Sequence, residues 1–196
     1  EQLAFRLAPG IGLHKLASIA PFLSEDALDR LAGEEYVRSA RIAELASIAP
    51  FLSQDGIDRL ALRAVQDKSS LSELASIAPF LSEEALGKIA SDTVKNGGSI
   101  GGLAAIAPFL DKDDLGKIAL ASVQGGGSVA QVAAIAPFLD EDELGKIVRA
   151  ALKDGQPFGE LAGLFPFLSQ DALRELVEAA LKKNDTSLLS KLVKFL

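Results

Sequence analysis

Leu74-Ala75-Ser76-Ile77-Ala78-Pro79-Phe80-Leu81-Ser82 decides the fold of this chain. The stretch returns with small changes around Pro21, Pro50, Pro108, Pro137 and Pro166, and successive prolines of the series are 29 residues apart throughout. Six copies without an insertion are the signature of a repeat array. In such arrays each unit buries its apolar face only against its neighbours.

Working outward from the third copy, one unit reads as two helices. Ser70 is an N-cap candidate, followed by Leu71, Leu74, Ala75, Ile77 and Ala78 at helical spacing. Pro79 falls late in this first helix, where it kinks or closes it. Phe80 and Leu81 deliver bulk into the junction, and Phe80 is expected in the core, with a truncation cost of roughly 3–5 kcal/mol. The next position is Ser24, Ser53, Ser82, Asp111, Asp140 or Ser169, always a preferred N-cap. Two residues on, the chain is always acidic (Asp26, Asp55, Glu84, Asp113, Asp142, Asp171), which suits the positive end of a helix dipole. Asp140 with Glu143 has the spacing of a capping box.

The second helix carries Leu86, Ile89, Ala90 and Val94 on one face. Gly97, Gly126, Gly155 and Asn184 then share a column with Gly10, as a left-handed residue past a helix C-terminus requires. Ser39 and Lys68 break that column, so their turns are expected to differ. Two adjacent columns of the first helix stay small, Ala17 to Ala162 and Ser18 to Gly163, and let helix axes approach closely. The expected fold is therefore all-α, an α-solenoid of about six 29-residue helical hairpins with a half-unit at each end. One domain covers 1–196: a half-unit over 1–10, the repeats over 11–184, and a capping helix over 185–196. In that last helix Leu188, Leu189, Leu192, Val193 and Leu196 make one stripe, with Ser187, Ser190, Lys191 and Lys194 facing elsewhere.

A net charge of −7 speaks against nucleic acid, whose phosphates need a clustered basic face. The chain has no cysteine, so disulfides and thiolate metal sites are excluded. No apolar run approaches the ~20 residues of a membrane span, and the opening Glu1-Gln2-Leu3-Ala4-Phe5-Arg6 does not read as a signal peptide.

Candidate chemistry is thin. Asn96-Gly97-Gly98-Ser99 and Gly125-Gly126-Gly127-Ser128 lack the Gly-Lys-Ser/Thr ending of a phosphate loop and read better as a C-cap glycine followed by a serine N-cap. His14, the one histidine, lies in a column of Ala43, Ser72, Gly101, Ala130 and Gly159 and reads as a surface residue. Asp26–Arg30, Asp55–Arg59, Glu84–Lys88, Asp113–Lys117 and Asp142–Lys146 read as exposed i, i+4 pairs. No nucleophile–base pair, cofactor motif or metal cluster emerges, so neither an enzyme nor a cofactor is expected. The most variable helical positions fall in the middle of the second helix, and Glu34, Glu35, Arg63, Asp92, Thr93, Arg149 and Glu178 are the candidate partner-binding residues.

The paired short helices, the proline late in the first, and Leu86-Gly87-Lys88-Ile89-Ala90 in the second resemble HEAT-type α-solenoid repeats, although the unit is shorter than that family's ~40 residues. The resemblance implies a right-handed superhelix whose concave face, lined by second helices, binds another protein or peptide. The near-identical copies are compatible with design or with recent duplication. The expected function is a non-enzymatic interaction scaffold. The alternative is a structural subunit that stacks head-to-tail through complementary terminal half-units.

Overall fold

Each long helix begins where a Ser or Asp follows a Phe-Leu pair. In this computed structural model, which describes residues 12–39, 42–66 and 71–196, every regular element among those residues is helical. The chain divides into two units, Glu1–Ile89 and Ala90–Leu196.

The first unit contains α1 (Leu13–Ile19), α2 (Glu25–Ser39), α3 (Ile42–Leu45), α4 (Gln54–Gln66), α5 (Leu71–Leu74) and the start of α6 (Glu83–Lys95). Between each short helix and the following long one lies a 3-10 turn, Ala20–Phe22, Ala49–Phe51 or Ala78–Phe80. The second unit has no short α-helix before α7 (Lys112–Gln124), α8 (Glu141–Lys153) or α9 (Gln170–Lys182); 3-10 segments at Ile100–Ala105, Ala107–Phe109, Val129–Ala134, Ala136–Phe138 and Phe158–Phe167 take that place. α10 (Thr186–Leu192) follows α9.

The first helix of the repeat is thus not one α-helix that a proline closes. From Pro21 to Pro137 the proline sits in the first turn of the 3-10 segment, where its missing N–H costs nothing, whereas Pro166 lies inside the longer segment Phe158–Phe167. The residue two places earlier has already left the helix, Ile77 standing at φ −113° and ψ −6°. Bonds between residues three apart carry the chain through: Ile77 N–H to the Leu74 carbonyl at 3.0 Å and Phe80 N–H to Ile77 at 2.9 Å. Glycines such as Gly101 and Gly102 further weaken helix propensity in the second unit.

The core is a set of columns. Leu16, Leu45, Leu74, Leu103, Val132 and Leu161 are all 0 % exposed, and the Ala before each proline from Ala20 to Ala136 is buried too. From the long helices come Leu28, Ile57, Leu86, Leu115, Leu144 and Leu173. Leu86, Ile89 and Ala90 are buried as their spacing predicts, and Val94 is half-buried.

The assignment of Phe80 to the core is corrected. Its side chain is 36 % exposed, Phe22 is 85 % exposed, and Phe51 and Phe109 resemble Phe80. The reason is local. The 3-10 turn carries the phenylalanine outward, and the next residue, extended at φ −87° and ψ 149° in Leu81, swings back into the core instead. Among the described residues Phe165, standing where other copies have alanine, is the most deeply buried aromatic; the Phe195 ring packs on it edge-on, with centroids 5.8 Å apart.

The glycine column behaves as expected wherever it is described. Gly97, Gly126 and Gly155 have φ of 87°, 91° and 72°, and Asn184 has 54°. Each closes a Schellman motif: at the end of α7, Gly127 N–H reaches the Ser122 carbonyl at 2.9 Å and Gly126 N–H reaches Val123 at 3.0 Å. Where the column holds Ser39, α2 runs on through it to 15 residues, against 13 for α4. Gly10, Lys68 and the half-unit over 1–10 lie outside the described residues. The small columns also act as expected: a Cβ on Gly163 would stand 2.9 Å from that of Ala133. At the C-terminal end Leu188 and Leu192 are buried, while Val193 and Leu196 are 70 % and 58 % exposed and leave the expected stripe.

Candidate functional site

A cap shared between repeats sets the long helices of the first unit beside one another. Asp58 of α4 accepts from the Ser82 N–H at 3.0 Å and from its hydroxyl at 2.6 Å, and Ser82 Oγ in turn accepts from Ala85 N–H at 3.1 Å. The same bonds recur one repeat earlier: Asp29 accepts from the Ser53 N–H at 3.1 Å and from its hydroxyl, and Ser53 Oγ accepts from Gly56 N–H at 3.0 Å. One carboxylate therefore reaches across a repeat to the start of the next long helix, an acceptor placed at the positive end of its dipole. Gly56 allows the approach, since a Cβ there would strike the Asp29 carboxylate.

Beside this junction α2 and α4 enclose a cleft of about 400 Å³ lined by Asp29, Arg30, Gly33, Gly56, Arg59, Leu60 and Arg63. Arg59 donates from Nε to the Asp55 carbonyl at 3.1 Å, rather than forming the expected ion pair with the Asp55 carboxylate. In the second unit the expected i, i+4 partners are likewise displaced by closer ones. Lys117 pairs with Asp114 at 3.1 Å and Lys146 with Glu143 at 2.6 Å, each three residues back. The hydrogen bond that Lys117 donates to Asp114, then the charge of that carboxylate, raises the Lys117 ammonium above the usual 10.5, and Glu143 does the same for Lys146. Glu143 is thereby taken from the expected capping box. Asp140 makes no side-chain cap and pairs with Lys112 at 3.3 Å.

The candidate partner-binding residues all lie on long helices. Glu34 and Glu35 belong to α2, but their side chains fall outside the described residues. Arg63 is exposed on α4 and lines the cleft. Asp92 and Thr93 are half-buried on α6, and Thr93 Oγ1 is buried with no hydrogen-bond partner among the described residues. Arg149 of α8 is exposed and holds Glu175 of α9 through Nη1, at 3.1 and 3.3 Å to the two carboxylate oxygens. Glu178 is exposed on α9, one turn beyond Glu175. Sequence reasoning placed these residues without finding the shared Asp–Ser cap or the arginine cluster. The usable signal was the recurrence of Asp and Ser 24 residues apart, at 29/53 and 58/82.

The glycine-rich loops are C-terminal caps. Ser99 Oγ accepts from Gly101 N–H and Ser128 Oγ from Ala130 N–H, at 3.1 and 3.2 Å, as the expected N-caps. Bonds between neighbouring turns stack them: Ser99 to Gln131 at 2.9 Å, Ser128 to Glu160 at 2.6 Å, and the Gln156 amide to both Gly127 O and Val129 N–H at 2.8 Å. Among the described residues no group of three or more His, Cys, Asp or Glu side chains could hold a metal ion, and no helix is long and apolar enough to cross a membrane. His14 is exposed on α1. No family model matches the chain, and comparison with curated proteins and with solved structures returns no match, so its own geometry carries the reading of function.

Proposed function

We propose that the chain is a non-enzymatic scaffold, a right-handed α-solenoid of HEAT-like hairpins whose long helices bind another protein or a peptide. One observation carries this reading. Positions that bury are nearly invariant from copy to copy, whereas equivalent positions outside the core of the long helices change chemistry: exposed Arg63 stands where half-buried Asp92 does, and exposed Arg149 where exposed Glu178 does. A constant framework with a variable face is what a graded recognition surface needs. A peptide display library selected against the folded chain, with bound peptides mapped by hydrogen exchange, tests it. Protection on the exposed faces of α4, α8 and α9 is expected. A footprint confined to the Pro-Phe turns, or no saturable binder, counts against it.

A second reading, end-to-end self-association, draws on Val193 and Leu196, which present apolar surface at the last turn. Light scattering over a hundredfold concentration range separates the two. Constant mass near 20.5 kDa removes self-association, and mass growing with concentration supports it.

A further inference from the structure

We propose that the cleft between α2 and α4 binds the carboxylates of an acidic peptide segment. This rests on the scaffold reading above and names the chemistry of its partner at one place.

Among the described residues the cleft is lined by Arg30, Arg59 and Arg63 and by one carboxylate; Arg30 already has a partner of its own, so Arg59 and Arg63 carry the proposal. That carboxylate, Asp29, is committed to the Ser53 N–H and hydroxyl. Arg59 directs Nε to a backbone carbonyl, which leaves its two terminal amino groups facing solvent with no partner among the described residues. Arg63 makes no hydrogen bond or ion pair among the described residues and is exposed.

The second unit shows what neutralises this column when it is only a solvated face. There the lysines at the Arg59 position, Lys117 and Lys146, are held by Asp114 and Glu143 three residues earlier. In α4 the position three residues before Arg59 is Gly56, which has no side chain to do this. Opposite, a Cβ on Gly33 would meet no side chain of a described residue within 4 Å. Glycine inside a helix is unfavourable relative to alanine, so the opening is kept against local preference.

Arginine suits this task. Its planar fork takes a carboxylate through two parallel bonds, and it loses less hydration than an ammonium on pairing. Buried Leu60 adds an apolar wall for the methylenes of a glutamate. A cleft of about 400 Å³ accepts side chains rather than a folded domain. The whole chain is acidic at −7, which makes a cleft presenting Arg59 and Arg63 a local exception suited to an anionic partner.

The test uses fluorescein-labelled hexaglutamate, with hexaglutamine as the uncharged match, in fluorescence anisotropy at about 50 mM salt, where steering by exposed charge persists. Hexaglutamate is expected to saturate and hexaglutamine not. Arg59→Ala and Arg63→Ala should each weaken binding about tenfold, Arg63→Glu more, and added salt should weaken it progressively. Both arginines are exposed, and circular dichroism confirms that each variant is folded. Lys117→Ala with Lys146→Ala, which removes the same charge from the second unit, should change nothing. Absent hexaglutamate binding, or binding indifferent to Arg59 and Arg63, overturns the proposal. So does tighter binding of tripolyphosphate than of hexaglutamate at the same arginines, which assigns the cleft to phosphate. If library peptides still footprint α8 and α9 while hexaglutamate fails, the acidic ligand is lost and the scaffold reading stands.

Discussion

Ser82 begins α6 with its N–H and hydroxyl on the carboxylate of Asp58, a side chain of the preceding long helix. Asp111 begins α7 by folding its own carboxylate back onto the N–H groups of Asp113 and Asp114, at 2.9 and 3.2 Å. Both units meet the unsatisfied N–H groups of a helix start from within, through Ser82 Oγ onto Ala85 N–H or through the Asp111 carboxylate, and the first unit adds a bond across the repeat that anchors the capping serine itself. The second unit spreads its cross-repeat polar bonds, with Lys112–Asp140 at the helix starts, Arg149–Glu175 along the helices, and Ser128–Glu160 and Gln156 with Gly127 and Val129 beyond their far ends. Polar ties are therefore interchangeable in these repeats, whereas the apolar columns are not: the same leucine positions are buried in both units.

The largest expected effect lies in the apolar core. Phe165→Ala removes a side chain 2 % exposed and should cost about 3–5 kcal/mol in denaturant unfolding; a loss under 1 kcal/mol would mean that the core does not depend on it. Next comes Asp58→Ala, which strips two acceptor bonds from the Ser82 N–H and hydroxyl and should cost about 1–3 kcal/mol. Asp111→Ala, which loses a local cap, should cost about 1 kcal/mol; equal losses at the two positions would erase the distinction between the units. Phe80→Ala should cost less than about 1 kcal/mol, because the ring is already 36 % exposed. Smallest of all is the Lys117–Asp114 pair. Its ammonium is raised in the folded state, so any stability it adds is present below 10.5 and fades as pH climbs past that value. A pH titration of stability should therefore be flat in this respect from neutral to pH 9, and Lys117→Ala should leave the neutral-pH stability nearly unchanged.

Much of the fold was legible because it rests on short-range rules. A 29-residue period, a Ser or Asp before each long helix, and a glycine after it are all local signals, and Ser24, Ser82, Ser169 and Gly97 act as they read. What the sequence hid lay in geometry that hydrophobicity does not encode. Phe80 and Leu81 are both large and apolar, and only the 3-10 turn followed by extended backbone decides which faces in. Lys117 had acids at both three and four residues back, and spacing alone could not choose Asp114 over Asp113. The arginine cleft was hidden for a different reason. Arg59 and Arg63 are neighbours on α4, but Arg30 and Gly33 join them only once α2 lies alongside.

The shared Asp–Ser cap makes the copies unequal as exchangeable parts. Its two halves, 24 residues apart in a 29-residue period, belong to different repeats. A repeat lifted out and inserted elsewhere carries a serine that wants an aspartate upstream and an aspartate that wants a serine downstream. Ser169 shows the mismatch as it stands: Gly145 occupies the upstream position, and the Ser169 hydroxyl caps only its own helix, from Ala172 N–H at 3.3 Å. Shuffling these modules therefore obeys a grammar of neighbours. Two aspartate-type copies can follow one another and extend the series, while a glycine-type copy ends it.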